Sequence, residues 1–451
     1  MSEQELIGTS PNGIRNIAID IENHKGDVYD ITGTVSEISL YESIYVSYIH
    51  GDMAVVDNSN MLSDFPFIGQ ERVRIRWERD EKISEREFLI TKVSSISRNR
   101  DGFGVYGLKI TSEIQMRNAT SLFSKSYRGS GDKIIKDIFS EHLNTELVGK
   151  TKAKTSHNIV FPYMKPLQAV DMVMKNVLAD DNTPMFVYST FYPNETRLES
   201  FAEMYAKEPT MKLKPTKPTN DQPDGQATEG SLKQRGVVYD MAISRAYDIF
   251  DDINKGAYGS FVTIADASTS EYQRPQFDFK KEAPTLASEW ITSDYTQEGE
   301  PLNNIPNTTN NYLYRNQYAF NTDLPNLNTV DDFDISILNS YTDRHAMTVL
   351  KVYIDSVAYV LETGEPFGVG QTVDYVLPKF SPVLGEEDRK DDEVNSGKYI
   401  VSAMRHYIKG KEYTMSLELI RDGVGEIANL DPLIDTSEQG KEGEKILPNL
   451  R

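Results

Sequence analysis

Between residues 30 and 112 the apolar positions recur every second residue in short runs. Val73, Ile75 and Trp77 alternate with Arg72, Arg74 and Arg76, so one face of a strand is apolar and the other carries guanidinium groups. Residues 88–96 form a second apolar-rich run. After the Asp101-Gly102 turn pair, Tyr106, Leu108 and Ile110 alternate again. Residues 58–64, ahead of Pro66, read as a short helical turn.

The period then changes. Ile134, Ile135, Ile138, Phe139 and Leu143 have helical spacing over residues 132–143, with Ser130 or Asp132 available as an N-cap. Residues 158–161 read as a strand. Pro166 sits at the favoured first position of a second helix, whose stripe is Leu167, Val170, Val173, Met174, Val177 and Leu178. Residues 185–189 form another strand. The whole describes a small α/β insert over residues 119–208.

Residues 209–236 hold Pro209, Pro215, Pro218 and Pro223 with few large apolar side chains, the composition of a linker. Order resumes at Val237, with a short helix through Tyr247, Ile249 and Ile253 and strands at 260–264 and 276–279. Residues 301–330 contain nine Asn, too many for a packed core, so 261–334 reads as a loop-rich insert. Strands return from residue 348 to about 420. The last stretch, 422–451, is polar with isolated apolar residues.

The second strand-rich region is similar to the first. Gly69-Gln70-Glu71-Arg72-Val73 is answered by Gly370-Gln371-Thr372-Val373. The run from Phe88 to Val93 matches that from Tyr399 to Met404, and Tyr106–Ile110 matches Met415–Leu419. The spacing from the leading glycine to the second strand is 19 residues in one copy and 29 in the other. The surplus falls in an acidic stretch containing Glu386, Glu387, Asp388, Asp391, Asp392 and Glu393, where a solvated loop absorbs an insertion. The pattern fits two homologous units in one chain; it also fits two unrelated antiparallel meanders. The fold class is therefore mainly β with an α+β insert: two similar β-barrel, tube-type domains with smaller inserted domains. The first barrel covers 1–118, completed by part of 237–260, and the second covers 335–421.

Charge and composition remove several functions. The chain has 451 residues, 69 Asp plus Glu against 48 Lys plus Arg, and a net charge of −21, which repels nucleic acid in the absence of a basic patch. Cysteine is absent, which excludes disulfides, thiolate metal sites and cysteine nucleophiles. The N-terminal residues lack the charged and apolar regions of a secretory signal, and no apolar run is long enough to predict membrane insertion.

The order of these pieces resembles the baseplate hub proteins of contractile-tailed bacteriophages, which are related by fold to phage late control proteins and to the hub part of type VI secretion spikes. The resemblance rests on Gly33 to Ile44, on Gly51 to Asp57 with Leu62, on the insert from Gly131 to Tyr188, and on Val369-Gly370 leading to Tyr399 through Leu419. It covers about 30–200 and 335–421; the stretches 209–236 and 284–331 and the acidic loop depart from it. It implies a structural, non-enzymatic subunit of the virion tail baseplate, assembled in the host cytoplasm as a homotrimeric, pseudo-sixfold ring. Its implied partners are the other two copies, the central spike, the tail tube or a tube-initiator protein, and neighbouring baseplate wedge proteins. DNA would pass through the channel without specific binding. The end of the second barrel would face the spike, which makes Ile427, Leu430, Leu433 and Ile434 candidate spike-binding residues: they are too few to bury a core of their own. A carbohydrate-binding tail adhesin is the alternative reading.

No catalytic, cofactor or metal site is expected. His24, His50, His142, His157, His345 and His406 are scattered, with no pair at metal-ligand spacing. Gly129-Ser130-Gly131-Asp132-Lys133 lacks the spacing and ending of a phosphate loop and reads as a helix start. No Gly-x-Ser-x-Gly elbow is present.

Overall fold

The computed structural model describes residues 15–58, 61, 65, 67–79, 82–98, 104–215, 237–238, 240–244, 249–256, 258–266, 270–282, 310–315, 333–342, 350–358, 367–377, 391–392, 395–410 and 412–423. Of the expectations above, most of the turn at 58–64, most of the linker, most of the Asn-rich stretch and of the acidic loop, and the tail from 424 onward lie outside the described residues. Ile427, Leu430, Leu433 and Ile434 are among these.

The chain is mainly β. Its first part is a set of seven strands: β1 (Arg15–Glu22), β2 (Val28–Asp30), β3 (Val35–Ser43), β4 (His50–Asp57), β5 (Arg72–Arg79), β6 (Lys82–Arg98) and β7 (Gly104–Thr111). The alternation read from the sequence is the alternation observed. Val73, Ile75 and Trp77 of β5 are buried, while Arg74 points outward and pairs with Glu87 on β6 at 2.8 Å. Such an exposed pair adds little stability; the buried face specifies the register, because a one-residue slip would turn it to water.

The insert follows: α1 (Glu113–Thr120), β8 (Phe123–Ser130), α2 (Gly131–Leu143), β9 (Leu147–Val148), β10 (Ser156–Met164), α3 (Pro166–Met174), β11 (Met185–Thr190), β12 (Glu195–Ser200) and α4 (Phe201–Ala206). It has its own core, in which Ile134, Ile135, Ile138 and Phe139 of α2 pack with Val170 and Val173 of α3. Pro166 opens α3 as expected. Ser130 occupies the N-cap position of α2, but its side chain makes no capping bond; Asp132 instead accepts a hydrogen bond from Ala153 N at 3.0 Å.

The remaining elements are β13 (Met211–Pro215), β14 (Val237–Val238), β15 (Asp240–Ser244), α5 (Ile249–Lys255), β16 (Gly259–Asp266), β17 (Glu271–Gln273), β18 (Gln276–Asp278), α6 (Phe279–Glu282), β19 (Asn310–Arg315), α7 (Asp334–Thr342), β20 (Leu350–Ala358), β21 (Thr372–Tyr375), β22 (Gly397–Lys409) and β23 (Glu412–Arg421). Two readings change here. The supposed linker begins with a strand, β13, parallel to β21. The loop-rich insert holds a small sheet in which β16 pairs with β17, β18 and, in parallel, β19. Of these strands, β16 and β18 fall where strands were expected at 260–264 and 276–279, whereas β13, β17 and β19 were not read from the sequence because they are short.

Fourteen strands form one sheet. Its first half runs β3-β4-β7-β6-β5 and its second β15-β20-β23-β22-β21, the same order in the same connectivity. The duplication extends to detail. Both long strands bulge at an equivalent place: β6 skips between Ile90 and Lys92, and β22 between Val401 and Ala403; β6 has a second shift between Ser94 and Ser97. In both, a residue with positive φ donates its backbone N–H to the strand just before that bulge, Gln70 to Ile90 O and Gly370 to Val401 O. Gly370 thus corresponds to Gln70 rather than to Gly69, one residue away from the sequence match. The segment expected to complete the first barrel also belongs elsewhere, since β15 pairs with β20 of the second half. The halves join where β22 pairs antiparallel with β3, from Ala403↔Ser43 to Lys409↔Glu37. Among the described residues no strand pairing closes either half into a cylinder.

Candidate assembly seam

A buried polar network lies where β3 and β22 meet. Alternation along β3 points Leu40 and Glu42 inward, and β22 brings His406 to face them. Glu42 is fully buried, and its carboxylate accepts hydrogen bonds from Phe191 N at 2.5 Å and Val369 N at 3.4 Å and contacts His406 Nε2 at 2.9 Å. The other imidazole nitrogen, Nδ1, meets the Tyr413 hydroxyl. One carboxylate therefore ties together the first half, the second half and the insert. A buried acceptor serving so many donors is costly to remove, because each would be left without a partner.

Around this tie the insert drives a wedge. The turn after β11 places Phe191 flat against Trp77 of β5, with ring centroids 4.4 Å apart. Arg86 of β6 lies over Phe191 and donates to the carbonyls of Thr190 and Phe191. Burial pulls the Arg86 guanidinium down to about 10, with Glu42 opposing the shift; it stays charged at neutral pH. A second network anchors the insert to the second half. Lys207 Nζ donates to Glu199 and to Gly370 O at 2.8 Å, and the Tyr188 hydroxyl donates to the same Glu199. Burial lowers the Lys207 pKa and raises that of Tyr188.

These groups have the residue types of catalysis without its access. His406 and Glu42 have side chains only 4% and 0% exposed, and their bonds fasten the two halves and the insert together. Beside the seam a concave cleft of about 610 Å³ is lined by Tyr41, His50, Met404, Arg405, Tyr353 and Glu418 among others. It spans strands of both halves.

The sequence weighed His406 as one of six scattered histidines, and Glu42 drew no notice. The signal for Glu42 was a lone acid on the apolar face of an alternating strand, visible only once the strand register is known. The other histidines go separate ways: His142 stacks on Phe123 at 4.2 Å, and His157 is buried beside Thr155. The Gly129–Lys133 segment serves packing, since a Cβ on Gly131 would run into Val177. Among the described residues no group of three or more His, Asp or Glu could hold a metal, and no helix is long and apolar enough to cross a membrane.

No protein-family model and no curated protein matches the sequence. Solved structures do match the fold. A tail protein from Neisseria meningitidis is similar with a TM-score of 0.52 at 10% identity, over 91% of this chain and 98% of that one. The 43 kDa tail protein of prophage MuSo2 from Shewanella oneidensis is similar with a TM-score of 0.51 at 8% identity, over 90% of this chain and 98% of that one. Both comparisons span nearly the whole of each chain, so the insert and both halves fall within the likeness. The fold of this chain is similar to that of these two tail proteins.

Proposed function

We propose that this chain is a structural, non-catalytic hub subunit of a contractile phage tail: a homotrimer whose pseudo-sixfold ring joins the tail tube to the central spike around the DNA channel. The observation that carries the reading is the duplication. Two halves of identical strand order, joined through β22 and β3, make each chain two similar units in series. Three such chains present six, which lets a threefold spike and a sixfold tube share one adaptor, and closure removes exposed sheet edges. The division into first half, insert at 119–208, loop-rich insert at 261–334, second half at 335–421 and tail at 422–451 belongs to this reading. So do a location in the virion baseplate, contacts to wedge and tube-initiator proteins, and docking of Ile427, Leu430, Leu433 and Ile434 on the spike. With −21 on each chain, the ring repels DNA phosphate and lets the genome pass.

The adhesin alternative requires a shared aromatic platform, whereas the most exposed aromatics among the described residues, Phe250, Tyr163 and Tyr272, lie on three different elements. Native mass spectrometry of the purified chain is expected to show a trimer. Monomer alone at micromolar concentration, with no trimer in assembled particles, would overturn the ring.

A further inference from the structure

The duplicated topology shows one joint made and a second left in two pieces. In the second half β22 serves two neighbours along one edge: Gly397–Ile400 faces β21, and Ala403–Lys409 faces β3. In the first half β6 begins the same way. Lys82–Leu89 faces β5, but beyond it, over Lys92–Arg98, the strand pairs with β7 alone among the described residues. This is the stretch of β6 that corresponds to the part of β22 covered by β3. In the second half, β15 holds the place of β3. It pairs with β20 as β3 pairs with β4, and its second edge carries no strand among the described residues.

Exposure records the same deficit. Ile38 and Leu40 of β3 are 1% and 0% exposed. Their counterparts on β15, Met241 and Ile243, are 36% and 37% exposed, and Ile96 on β6 is 60% exposed. A strand edge that no described strand covers is a template for pairing with another chain. Here the duplicate shows what covers it.

We propose that β6 over Lys92–Arg98 pairs antiparallel with β15 over Asp240–Ser244 of a neighbouring copy, repeating between chains the joint that β22 and β3 make within one. The register follows from the duplication. Arg405↔Tyr41 within the chain becomes Ser94 opposite Ser244 of the neighbour, and Tyr407↔Ser39 becomes Ser97 opposite Ala242. Ser95 and Ile96 together stand where β22 has the single residue His406, so β6 meets Ile243 across a bulge. The contact is head-to-tail, and it closes a ring when its rotation matches that of the internal joint. The inference rests on the ring reading above and names its interface.

The chain has no cysteine, so introduced thiols report only on each other. The full-length Ser97→Cys/Ala242→Cys variant is expected, on mild oxidation, to give covalent dimers and trimers on a non-reducing gel that revert on reduction. Each single variant should give at least tenfold less. Shifting the second thiol by one residue, Ser97→Cys/Ile243→Cys, turns it to the other face and should cut the yield by a similar factor. A variant that assembles as a trimer in native mass spectrometry but gives no register-specific cross-link would overturn the strand pairing and leave the ring reading standing. A chain that stays monomeric would overturn both. As an independent check, Ile243→Lys should leave the thermal unfolding of the chain unchanged and reduce trimer formation at least tenfold; a trimer of undiminished strength would also overturn the pairing.

Discussion

The two halves of the sheet share a design and differ in how firmly it is locked. The first half turns back through the short connection between β5 and β6. The second spends residues 376–396 on the same connection, and β21 is half the length of β5. The first half carries the wedge of Phe191 against Trp77 and the ion pairs of β5 with β6. The second is held by hydrogen bonds to the insert through Gly370 and Thr372. A common topology thus tolerates quite different fastenings, provided the strand order and the bulge are kept. What both halves depend on is the joint between them.

The largest expected effect comes from breaking that joint. Glu42→Ala leaves the Phe191 and Val369 N–H groups and His406 without their acceptor, at roughly 1–3 kcal/mol for each orphaned group. The midpoint of chemical denaturation should fall accordingly. Glu42→Gln keeps an acceptor oxygen and should lose clearly less; equal losses would show that burial of the side chain, and not its hydrogen bonds, matters at the seam.

A smaller, paired effect separates the halves. Gln70 and Gly370 occupy equivalent positions with φ of 72° and 74°. A non-glycine residue in this conformation costs roughly 1–2 kcal/mol, so Gln70→Gly should stabilise the chain by about 1 kcal/mol. Gly370→Ala should do the reverse and by more, because its Cβ would also collide with the Tyr188 ring. Denaturant titrations of the two variants give opposite signs if the halves are equivalent as described.

The smallest effect tests the insert against the sheet. Burial lowers the His142 pKa below its ordinary value of 6.5, with Glu141 opposing the shift. The unfolded chain then binds the proton first, so this contribution is full above pH 6.5 and is lost as pH falls below it. Melting temperature should decline between pH 7 and pH 5, and His142→Phe should flatten part of that decline. An unaltered slope would place the pH sensitivity outside the insert.

Much of this was legible in the sequence where burial is one-sided. Alternation at Val73, Ile75 and Trp77 gave the strand and its inward face, and helical spacing gave α2 within a residue and the start of α3, which ends at Met174, short of Val177 and Leu178 of its expected stripe. The duplication was readable from Phe88 and Tyr399 onward because core positions keep their size and polarity. Its turn was misaligned by one residue, since a positive φ at Gln70 leaves no mark in residue type. The seam was not legible at all. Its members, Glu42, Arg86, Phe191 and His406, are separated by up to 364 residues, and nothing local marks a residue whose partner is chosen by tertiary register. β15 was missed as a sheet edge for the same reason.

The reach of the β3–β22 joint has a consequence for how the chain is made. Arg405 and Ser39, bonded across it, lie 366 residues apart. At roughly 5–20 residues per second of synthesis, β3 emerges about 20–70 s before the strand that covers it. Through that interval the apolar edge of Leu40 and Ile38 is open to whatever other strand is at hand, including β15 or β22 of another nascent chain. Non-local pairing of this kind also slows folding once the chain is complete. Productive yield therefore depends on keeping the N-terminal half occupied or dilute while the rest is translated. Slower synthesis, lower temperature or a chaperone that holds exposed strands should raise the soluble fraction more than any change to the finished core.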